Sequence, residues 1–368
     1  MTTSTNYLIL ACDGGGIRGL IPSLLLQQLN NSFPKLLSNV YLFAGTSTGG
    51  IISLAMACGI SPDNIVGLYK NDGGTIFTPS SCMSTLAAAK PATPTAAPIG
   101  SATSTDWWAW ILEHLEEIIC TWYTNSGLQT VIQDQLGAFA NDTLDSLVSS
   151  ENPQYVLVNT FQLCAANNIW TPLQLTNLPN IPGNDSGASH VIDAAMSTSA
   201  APMYFPPYPH PTFGYCIDGG MFANNPGTIA LTSLVDSGVA LENIWLLSLS
   251  TGNSLNSIPA SVVNEFGANE CGPLFWFWPL AQQGQSNYTP SLPLMSLIFD
   301  GTSAVDTYQC GQLLGSRYQR ANVPLSQPIA LNDYSSTAIK AMEDSTTDYM
   351  KNSAEWADIL SWIEQNFA

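Results

Sequence analysis

A short run of small residues, Gly45-Thr46-Ser47-Thr48-Gly49, has the residue types and spacing that suit nucleophilic chemistry. It matches the pattern G-x-S-x-G and stands between an apolar segment and a helical pattern. That context predicts a tight strand-to-helix turn that exposes the Ser47 hydroxyl. Gly45 and Gly49 are needed there because side chains would collide across the turn, and the N-terminus of the following helix favours negative charge on a substrate. Ser47 is therefore the candidate nucleophile; the alternative is a turn of small residues without chemistry.

A serine nucleophile needs a base, and the order of residues along the chain restricts the choice. The histidines are His114, His190 and His210. None precedes Ser47, as subtilisin and chymotrypsin orders require, and none follows Asp218, as the α/β-hydrolase order requires. A Ser–His–Asp order stays open in principle, but two of the histidines lie in loop-like segments and His114 lies in a helix beside glutamates. We interpret all three as structural.

A carboxylate remains as the candidate base. Asp218-Gly219-Gly220 follow a short apolar strand at 215–217. An aspartate at the carboxyl end of a strand faces the crevice where α/β sheets bind ligands, and Gly219 and Gly220 allow a close backbone turn. Desolvation would raise the basicity of this carboxylate into the working range. Ser47 and Asp218 are thus predicted to form a dyad; the alternative is a turn aspartate that caps its own backbone.

A glycine-rich run, Asp13-Gly14-Gly15-Gly16-Ile17-Arg18-Gly19, opens the first predicted helix. It contains G-x-G-x-x-G, a dinucleotide-binding pattern that requires an acidic residue about 20 positions later. No Asp or Glu stands between Asp13 and Asp63, and the Gly-Lys-Ser/Thr of a P-loop is absent. We therefore predict no nucleotide cofactor. The alternative to the dinucleotide interpretation is that the amides of Gly14, Gly15 and Gly16 face an oxyanion. Arg18 either anchors a phosphate or holds the loop through an internal carboxylate, and we favour the second interpretation.

Hydrophobic periodicity indicates the elements that would position these residues. Residues 7–12 and 40–44 have the pattern of apolar strands, and each is followed by a glycine-rich turn and a helix, at 17–30 and 49–58. Strand–turn–helix units repeated in this way predict an α/β fold with a parallel sheet covered by helices. The remaining strand candidates are at 155–163, 215–217 and 244–249.

Residues 78–122 interrupt this alternation. Their first part is rich in Ala, Thr, Ser and Pro, which is typical of a flexible insertion. In the helix that follows, Trp107, Trp108 and Trp110 either pack onto the domain or form an interfacial lid, and the aromatic run 275–278 allows the same two interpretations. The predicted organisation is a catalytic domain over 1–77 and 123–255, an insertion at 78–122, and a mostly helical part over 256–368 packed on the same domain.

The charge balance excludes some partners. The chain has 368 residues, 8 basic and 27 acidic, and a formal net charge of −19. Such a field repels phosphate backbones, so we expect no nucleic-acid partner. Peripheral contact with a membrane would have to use apolar or aromatic side chains. Because no segment is long and apolar enough to span a bilayer and no signal-peptide pattern opens the chain, we expect a cytoplasmic protein or one secreted without a classical leader.

The three motifs together, in this order, resemble the patatin-like phospholipase family. The residues that carry the resemblance are DGGGIRG at 13–19, GTSTGG at 45–50, DGG at 218–220 and NNP at 224–226. Residues 199–206 and 247–252 resemble the segment before the family's aspartate and its next strand and turn. Each motif is weak alone, but their combination and order are specific.

The resemblance implies a Ser–Asp dyad acyl hydrolase on a three-layer α/β/α sandwich with a mostly parallel central sheet and a helical C-terminal part. Ser47 would be the nucleophile, Asp218 the base, and Gly14, Gly15 and Gly16 the oxyanion loop. Supporting motif positions are Asp13, Arg18, Gly19, Gly45, Gly49, Gly219 and Gly220. The resemblance implies no metal and no cofactor, and calcium should be dispensable.

The expected function is a lipid acyl hydrolase of phospholipase A or lysophospholipase type, with a lipid or membrane-interface substrate. The family often has an arginine shortly before the position of Ala200. This chain lacks it, since residues 194–198 carry no charge. Acyl-ester hydrolysis is therefore a firmer expectation than recognition of a phosphate head group. The alternatives are a broad short-chain esterase and a non-catalytic membrane-associating effector, and the intact Ser47 and Asp218 argue against the second. The sequence does not indicate the oligomeric state.

Overall fold

The computed structural model describes residues 6–80, 119–151, 153–164, 168–181, 185–253, 256–258, 260, 263–264, 275–276 and 292–367. Most of the expected insertion at 78–122 lies outside these residues, including Trp107, Trp108, Trp110 and His114. Residues 277 and 278 of the second aromatic run also lie outside them. The two interpretations of both aromatic segments stay predictions.

The described residues form one eight-stranded sheet with the order β5-β6-β3-β2-β1-β7-β8, and β4 pairs with β3. The neighbouring strands β3, β2, β1, β7 and β8 run parallel to one another. Strands β4 and β6 pair antiparallel with β3, and β5 pairs antiparallel with β6. The strands are β1 (Tyr7–Cys12), β2 (Val40–Thr46), β3 (Tyr155–Gln162), β4 (Thr171–Thr176), β5 (Tyr208–His210), β6 (Gly214–Asp218), β7 (Ile244–Leu249) and β8 (Tyr318–Ala321).

Helices cover both faces of this sheet. They are α1 (Leu20–Ser32), α2 (Leu36–Asn39), α3 (Thr48–Ala57), α4 (Pro62–Asn71), α5 (Gly73–Ile76), α6 (Asn125–Leu136), α7 (Val191–Thr198), α8 (Gly220–Ala223), α9 (Gly227–Asp236), α10 (Pro293–Leu314), α11 (Ser336–Asn352) and α12 (Ala354–Asn366). Among the described residues, no helix has both the length and the apolar character needed to cross a membrane.

The central strand β1 shows why the fold has three layers. Its side chains alternate between two apolar clusters, because successive residues of a strand point to opposite faces. Leu8 and Leu10 pack with α1, α3, α4, α6, α7, α11 and α12, while Ile9 and Ala11 pack with α9 and α10 on the other face. A strand buried on both faces has to be apolar throughout, which is the pattern of its sequence. The expected α/β/α sandwich with a mostly parallel sheet is confirmed.

The C-terminal region is not only helical, since it also contributes β8 at the edge of the sheet. This strand is four residues long and half-buried, and it contains Arg320. Two other short strands, β4 and β5, each contain a proline and show no buried apolar run. Their pairing depends on neighbouring strands rather than on their own sequence, so hydrophobic periodicity did not predict them.

The turn between β2 and α3 tolerates no side chain at Gly49, because a Cβ there would lie 2.0 Å from the carbonyl oxygen of Cys12. We expect Gly49→Ala to destabilise the protein by roughly 3 kcal/mol or more, since the β1 backbone would have to shift. Gly301→Ala is the matched control: this glycine lies inside α10 with nothing within 4 Å of a new Cβ, and the change should stabilise by up to about 1 kcal/mol. Equal urea midpoints for the two variants would contradict this account.

Candidate active site

Ser47 occupies the turn between β2 and α3 in a strained backbone conformation. Its φ is 55° and its ψ is −126°, a region that residues other than glycine rarely adopt. The turn is closed tightly, since a Cβ on Gly45 would lie 2.1 Å from the carbonyl oxygen of Gly49. The expected strand-to-helix turn around Ser47 is therefore present, with both flanking glycines at points of close backbone approach.

A threonine from a distant segment holds this strained turn. The Ser47 amide donates to Thr198 Oγ1 at 2.9 Å, and the Thr198 hydroxyl donates to the carbonyl oxygen of Asn159 on β3. The Asn159 side chain in turn donates to Thr46 Oγ1 at 3.0 Å. These buried hydrogen bonds tie the serine turn to β3 and α7. Sequence reasoning missed Thr198, which belongs to none of the three motifs.

Asp218 ends β6 and is 1% exposed. Its Oδ1 accepts a hydrogen bond from the Gly220 amide at 2.7 Å, while its Oδ2 has no hydrogen-bond partner among the described residues. Burial raises the pKa of Asp218 to about 7, and the neighbouring Ser47 hydroxyl and Gly220 amide oppose part of that increase. The structure thus brings Ser47 and Asp218 together, and the carboxyl group has one oxygen without a partner there.

The glycine loop lies against the serine turn. A Cβ on Gly14 would lie 3.2 Å from Ser47 Cβ, and Gly15 and Gly16 line the same cavity as Ser47 and Asp218. The Gly14 amide, however, donates to the carbonyl oxygen of Asn224 at 3.0 Å. The expectation that three consecutive amides face an oxyanion is therefore corrected. Only the amides of Gly15 and Gly16 make no hydrogen bond within the described part of the loop.

Asp13 anchors the start of this loop through an arginine of β8. The Arg320 guanidinium binds both carboxylate oxygens of Asp13, at 3.1 Å and 2.6 Å, and also donates to Ser248 Oγ at 2.6 Å. Both partners are nearly buried. Burial raises the pKa of Asp13, and Arg320 opposes this increase. Arg320 therefore holds the start of the loop, a role that the sequence analysis did not assign to it, while the interpretation of Arg18 stays a prediction. Arg18 is buried and lines a separate polar cavity behind the loop.

An apolar cavity of about 700 Å³, measured with its open mouth, extends from Ser47 and Asp218 into the protein. Aliphatic and aromatic side chains from α3, α4 and α6 and the end of α5 form its walls, among them Ile51, Leu68, Ile76, Phe77, Leu128 and Val131. A polar cleft of about 1490 Å³, also measured with its open mouth, lies on the other side of the glycine loop, and Asn224 borders both cavities. Of these two cavities, the first has the lining that suits a hydrocarbon chain.

The described histidines lie away from this cavity. His190 is exposed and its Nδ1 hydrogen-bonds to the Asn141 carbonyl, whereas His210 is buried and its Nδ1 accepts from the amides of Thr212 and Phe213. Neither residue is part of the cavity lining. In the same described ranges, no group of three or more His, Cys, Asp or Glu side chains is placed to hold a metal ion.

The family profile described as "Patatin-like phospholipase" matches residues 10–231. This match covers more than half of the chain and includes the end of β1, the glycine loop, the serine turn and β6. The protein therefore belongs to the patatin-like phospholipase family.

Two curated relatives show how far the similarity extends. The chain is 26% identical to a "cGAMP-activated phospholipase" of Escherichia coli over 272 residues, which are 70% of this chain and 65% of that protein. It thus spans less than two thirds of that relative's length. It is 25% identical to "Patatin group M-3" of Solanum tuberosum over 388 aligned positions, which cover 96% of this chain and 89% of the potato protein.

Solved structures that resemble this chain are more distant. VipD from Legionella pneumophila aligns with a TM-score of 0.40 and 12% identity, over 98% of this chain and 79% of VipD. Human GIVD cytosolic phospholipase A2 aligns with a TM-score of 0.38 and 10% identity, over 98% of this chain and 61% of the human protein.

Proposed function

We propose that this protein is a phospholipase A or lysophospholipase type acyl hydrolase that cleaves carboxylic esters with a Ser47–Asp218 dyad. One observation carries the proposal: a serine on a strained turn and a buried carboxyl group lie side by side in the wall of a single apolar cavity. The cavity suits a fatty acyl chain, and the two polar residues suit attack on the ester carbonyl at the end of that chain.

In the first half of the reaction, Ser47 Oγ attacks the ester carbonyl carbon and its proton passes to Asp218 Oδ2. This oxygen is the one without a hydrogen bond among the described residues, and the raised pKa of the carboxyl group makes it a useful base near neutral pH. The amides of Gly15 and Gly16 stabilise the negative oxygen of the tetrahedral intermediate. The intermediate then collapses, the alcohol leaves with the proton from Asp218, and the acyl group stays on Ser47.

In the second half, Asp218 takes a proton from water, which attacks the acyl–Ser47 carbonyl. Collapse of the second intermediate returns the proton to Ser47 and releases the fatty acid. No step needs a metal, because the loop amides stabilise the negative charge that develops on the oxyanion. We therefore propose that activity is independent of calcium.

The cavity favours long acyl chains over the short-chain alternative. Each methylene group transferred from water into an apolar site contributes about 0.8 kcal/mol. The aliphatic and aromatic walls provide such a site directly beside Ser47. A short ester would leave most of this surface unused, so discrimination between chain lengths should be large.

Hydrolysis of p-nitrophenyl esters from C2 to C16 and of defined phospholipids and lysophospholipids, all with EDTA present, tests the proposal. We expect kcat/KM to rise with chain length and EDTA to have no effect. A maximum at C2 to C4 would favour the broad short-chain esterase instead. No hydrolysis of any ester by the wild-type protein would favour a non-catalytic membrane-associating effector, and loss of activity in EDTA would contradict the metal-free mechanism.

The rate should depend on the ionisation of Asp218. A base acts only when it is deprotonated, and burial raises the pKa of this group to about 7. We therefore expect kcat/KM to rise with pH, to level off above pH ~8, and to fall about tenfold per pH unit well below the pKa. The pH profile of a soluble, non-ionising ester checks this. An unchanged rate down to pH 5 would contradict Asp218 as the base.

A further inference from the structure

The orientation of one peptide group in the glycine loop decides whether the oxyanion finds a donor or an acceptor. The carbonyl of Gly14 and the amide of Gly15 belong to the same trans peptide, and such a group is planar with its C=O and N–H pointing in opposite directions. The Gly15 amide can therefore face Ser47 only while the Gly14 carbonyl faces away from it.

Thr251 holds that carbonyl on the far side. Its Oγ1 donates to the Gly14 carbonyl oxygen at 2.8 Å in a buried hydrogen bond. The Asn224 side chain also donates to this oxygen, at a longer 3.4 Å, but it is shared with Ser303 Oγ at 3.0 Å. Thr251 and Asn224 both border the polar cavity behind the loop, whereas Gly15 borders the apolar cavity in front.

The loop needs such a restraint because its glycines do little to restrict the backbone dihedral angles. A peptide flip changes only ψ of Gly14 and φ of Gly15, and glycine accepts these changes at low cost. The flip would aim the Gly14 carbonyl at the developing oxyanion, where two negative oxygens would repel each other. The Thr251 side chain also lies against Gly15, since a Cβ on this glycine would be 2.2 Å from Thr251 Oγ1.

We propose that Thr251 is a positioning residue whose hydroxyl fixes the Gly14–Gly15 peptide with its amide toward Ser47. The inference rests on the proposed function, because it concerns the stabilisation of the same tetrahedral intermediate. Thr251 acts through the loop rather than by touching the substrate, so its loss should affect turnover more than substrate binding.

Thr251→Val tests this, because valine keeps the shape of threonine and removes only the hydroxyl. We expect kcat to fall about 10- to 100-fold, somewhat less than the loss of an entire oxyanion donor, with KM within about threefold of wild type. Thr251→Ser, which retains the hydroxyl, should recover kcat to within about threefold of wild type. Thr251→Ala is measured alongside, so that a poorly folded valine variant does not remove the test.

A second readout separates positioning from a merely structural role. A long-chain trifluoromethyl ketone forms an oxyanion on Ser47, so Thr251→Val should weaken its inhibition in proportion to the fall in kcat/KM. Inhibition by the corresponding fatty alcohol, which forms no oxyanion, should not change. Thr346→Val is the matched control, because it removes another buried threonine hydroxyl, bound to the Met342 carbonyl at 2.7 Å, and should leave kcat unchanged.

The inference is overturned if well-folded Thr251→Val or Thr251→Ala keeps the wild-type kcat, or if Thr251→Ser is as impaired as Thr251→Val. It is also overturned if Thr251→Val weakens inhibition by the ketone and inhibition by the alcohol equally. Ser47→Ala is assayed in the same series. If wild type is no faster than Ser47→Ala, the proposed function itself fails, whereas an active wild type with an equally active Thr251→Val overturns only the role of Thr251.

Discussion

Replacing Ser47 by alanine is expected to lower kcat/KM for long-chain esters by at least ~10⁴-fold, because the side chain supplies the oxygen that forms the acyl bond. The fold should remain intact, since alanine differs from serine only by the hydroxyl group and fits the space that Ser47 occupies. Initial rates on a C12 or C16 p-nitrophenyl ester, read with the thermal unfolding curve, measure both quantities.

Ser53→Ala provides the matched control. Ser53 lies in the same helix, α3, and is buried, but it is absent from the cavity lining. We expect this variant to keep wild-type kcat/KM. Wild-type activity of Ser47→Ala would remove Ser47 from the mechanism, and an equally large loss in Ser53→Ala would make the effect a general consequence of altering α3.

Asp218→Asn is expected to lower kcat by about 10³- to 10⁴-fold, because the amide keeps the shape of the carboxyl group but cannot accept the Ser47 proton. KM should change little, since asparagine keeps the shape of the cavity wall at this position. If a histidine rather than Asp218 were the base, Asp218→Asn would stay active. That outcome would contradict the dyad.

The same substitution should change stability with pH in a definite direction. Burial raises the pKa of Asp218 from 3.8 to about 7, so its stabilising contribution is fully present below pH ~3.8 and is lost as the pH rises through 7. Asp218→Asn avoids this loss, so its free energy of unfolding at pH 8 should exceed that of the wild type by roughly 1–4 kcal/mol. The difference should disappear near pH 3.5. Urea titrations at the two pH values measure it.

Asp193→Asn is the control for the activity measurement. Asp193 is another buried aspartate, and its Oδ1 accepts a hydrogen bond from the Tyr208 hydroxyl at 2.6 Å. An asparagine oxygen can accept the same bond, and Asp193 is absent from the cavity lining. Wild-type kcat is expected for this variant, and a loss as large as that of Asp218→Asn would make the effect a general consequence of removing a buried carboxylate.

Sequence alone was sufficient where local pattern and buried position coincide. The strand β1 is apolar at every position because both of its faces are covered, and its bounds were predicted correctly. The turn at Ser47 was predicted because its flanking glycines occur where any side chain would collide with backbone. The nearness of Ser47 and Asp218 was predicted from the rule that strands of an α/β sheet end at a common crevice, but β6 runs antiparallel to β3. Asp218 reaches the serine turn because it pairs with Thr160, the neighbour of Asn159, and Asn159 pairs with Thr46.

The parts that sequence did not predict depend on contacts between distant residues. Thr198 binds the Ser47 amide across 151 positions of sequence, Thr251 binds Gly14 across 237, and Arg320 binds Asp13 across 307. A single threonine or arginine carries no local signal of such a partner. The amide of Gly14 illustrates the same limit, because its hydrogen bond to Asn224 can be recognised only in three dimensions.

Covalent labelling of the nucleophile tests the central claim most directly. The wild-type protein is incubated with a long-chain alkyl fluorophosphonate at pH 8 in EDTA, digested, and examined by peptide mass spectrometry. We predict one phosphonyl group on Ser47, none on the Ser47→Ala protein, and much slower labelling of Asp218→Asn. A label on any other residue, or an unlabelled Ser47 in a preparation that hydrolyses long-chain esters, would contradict the account.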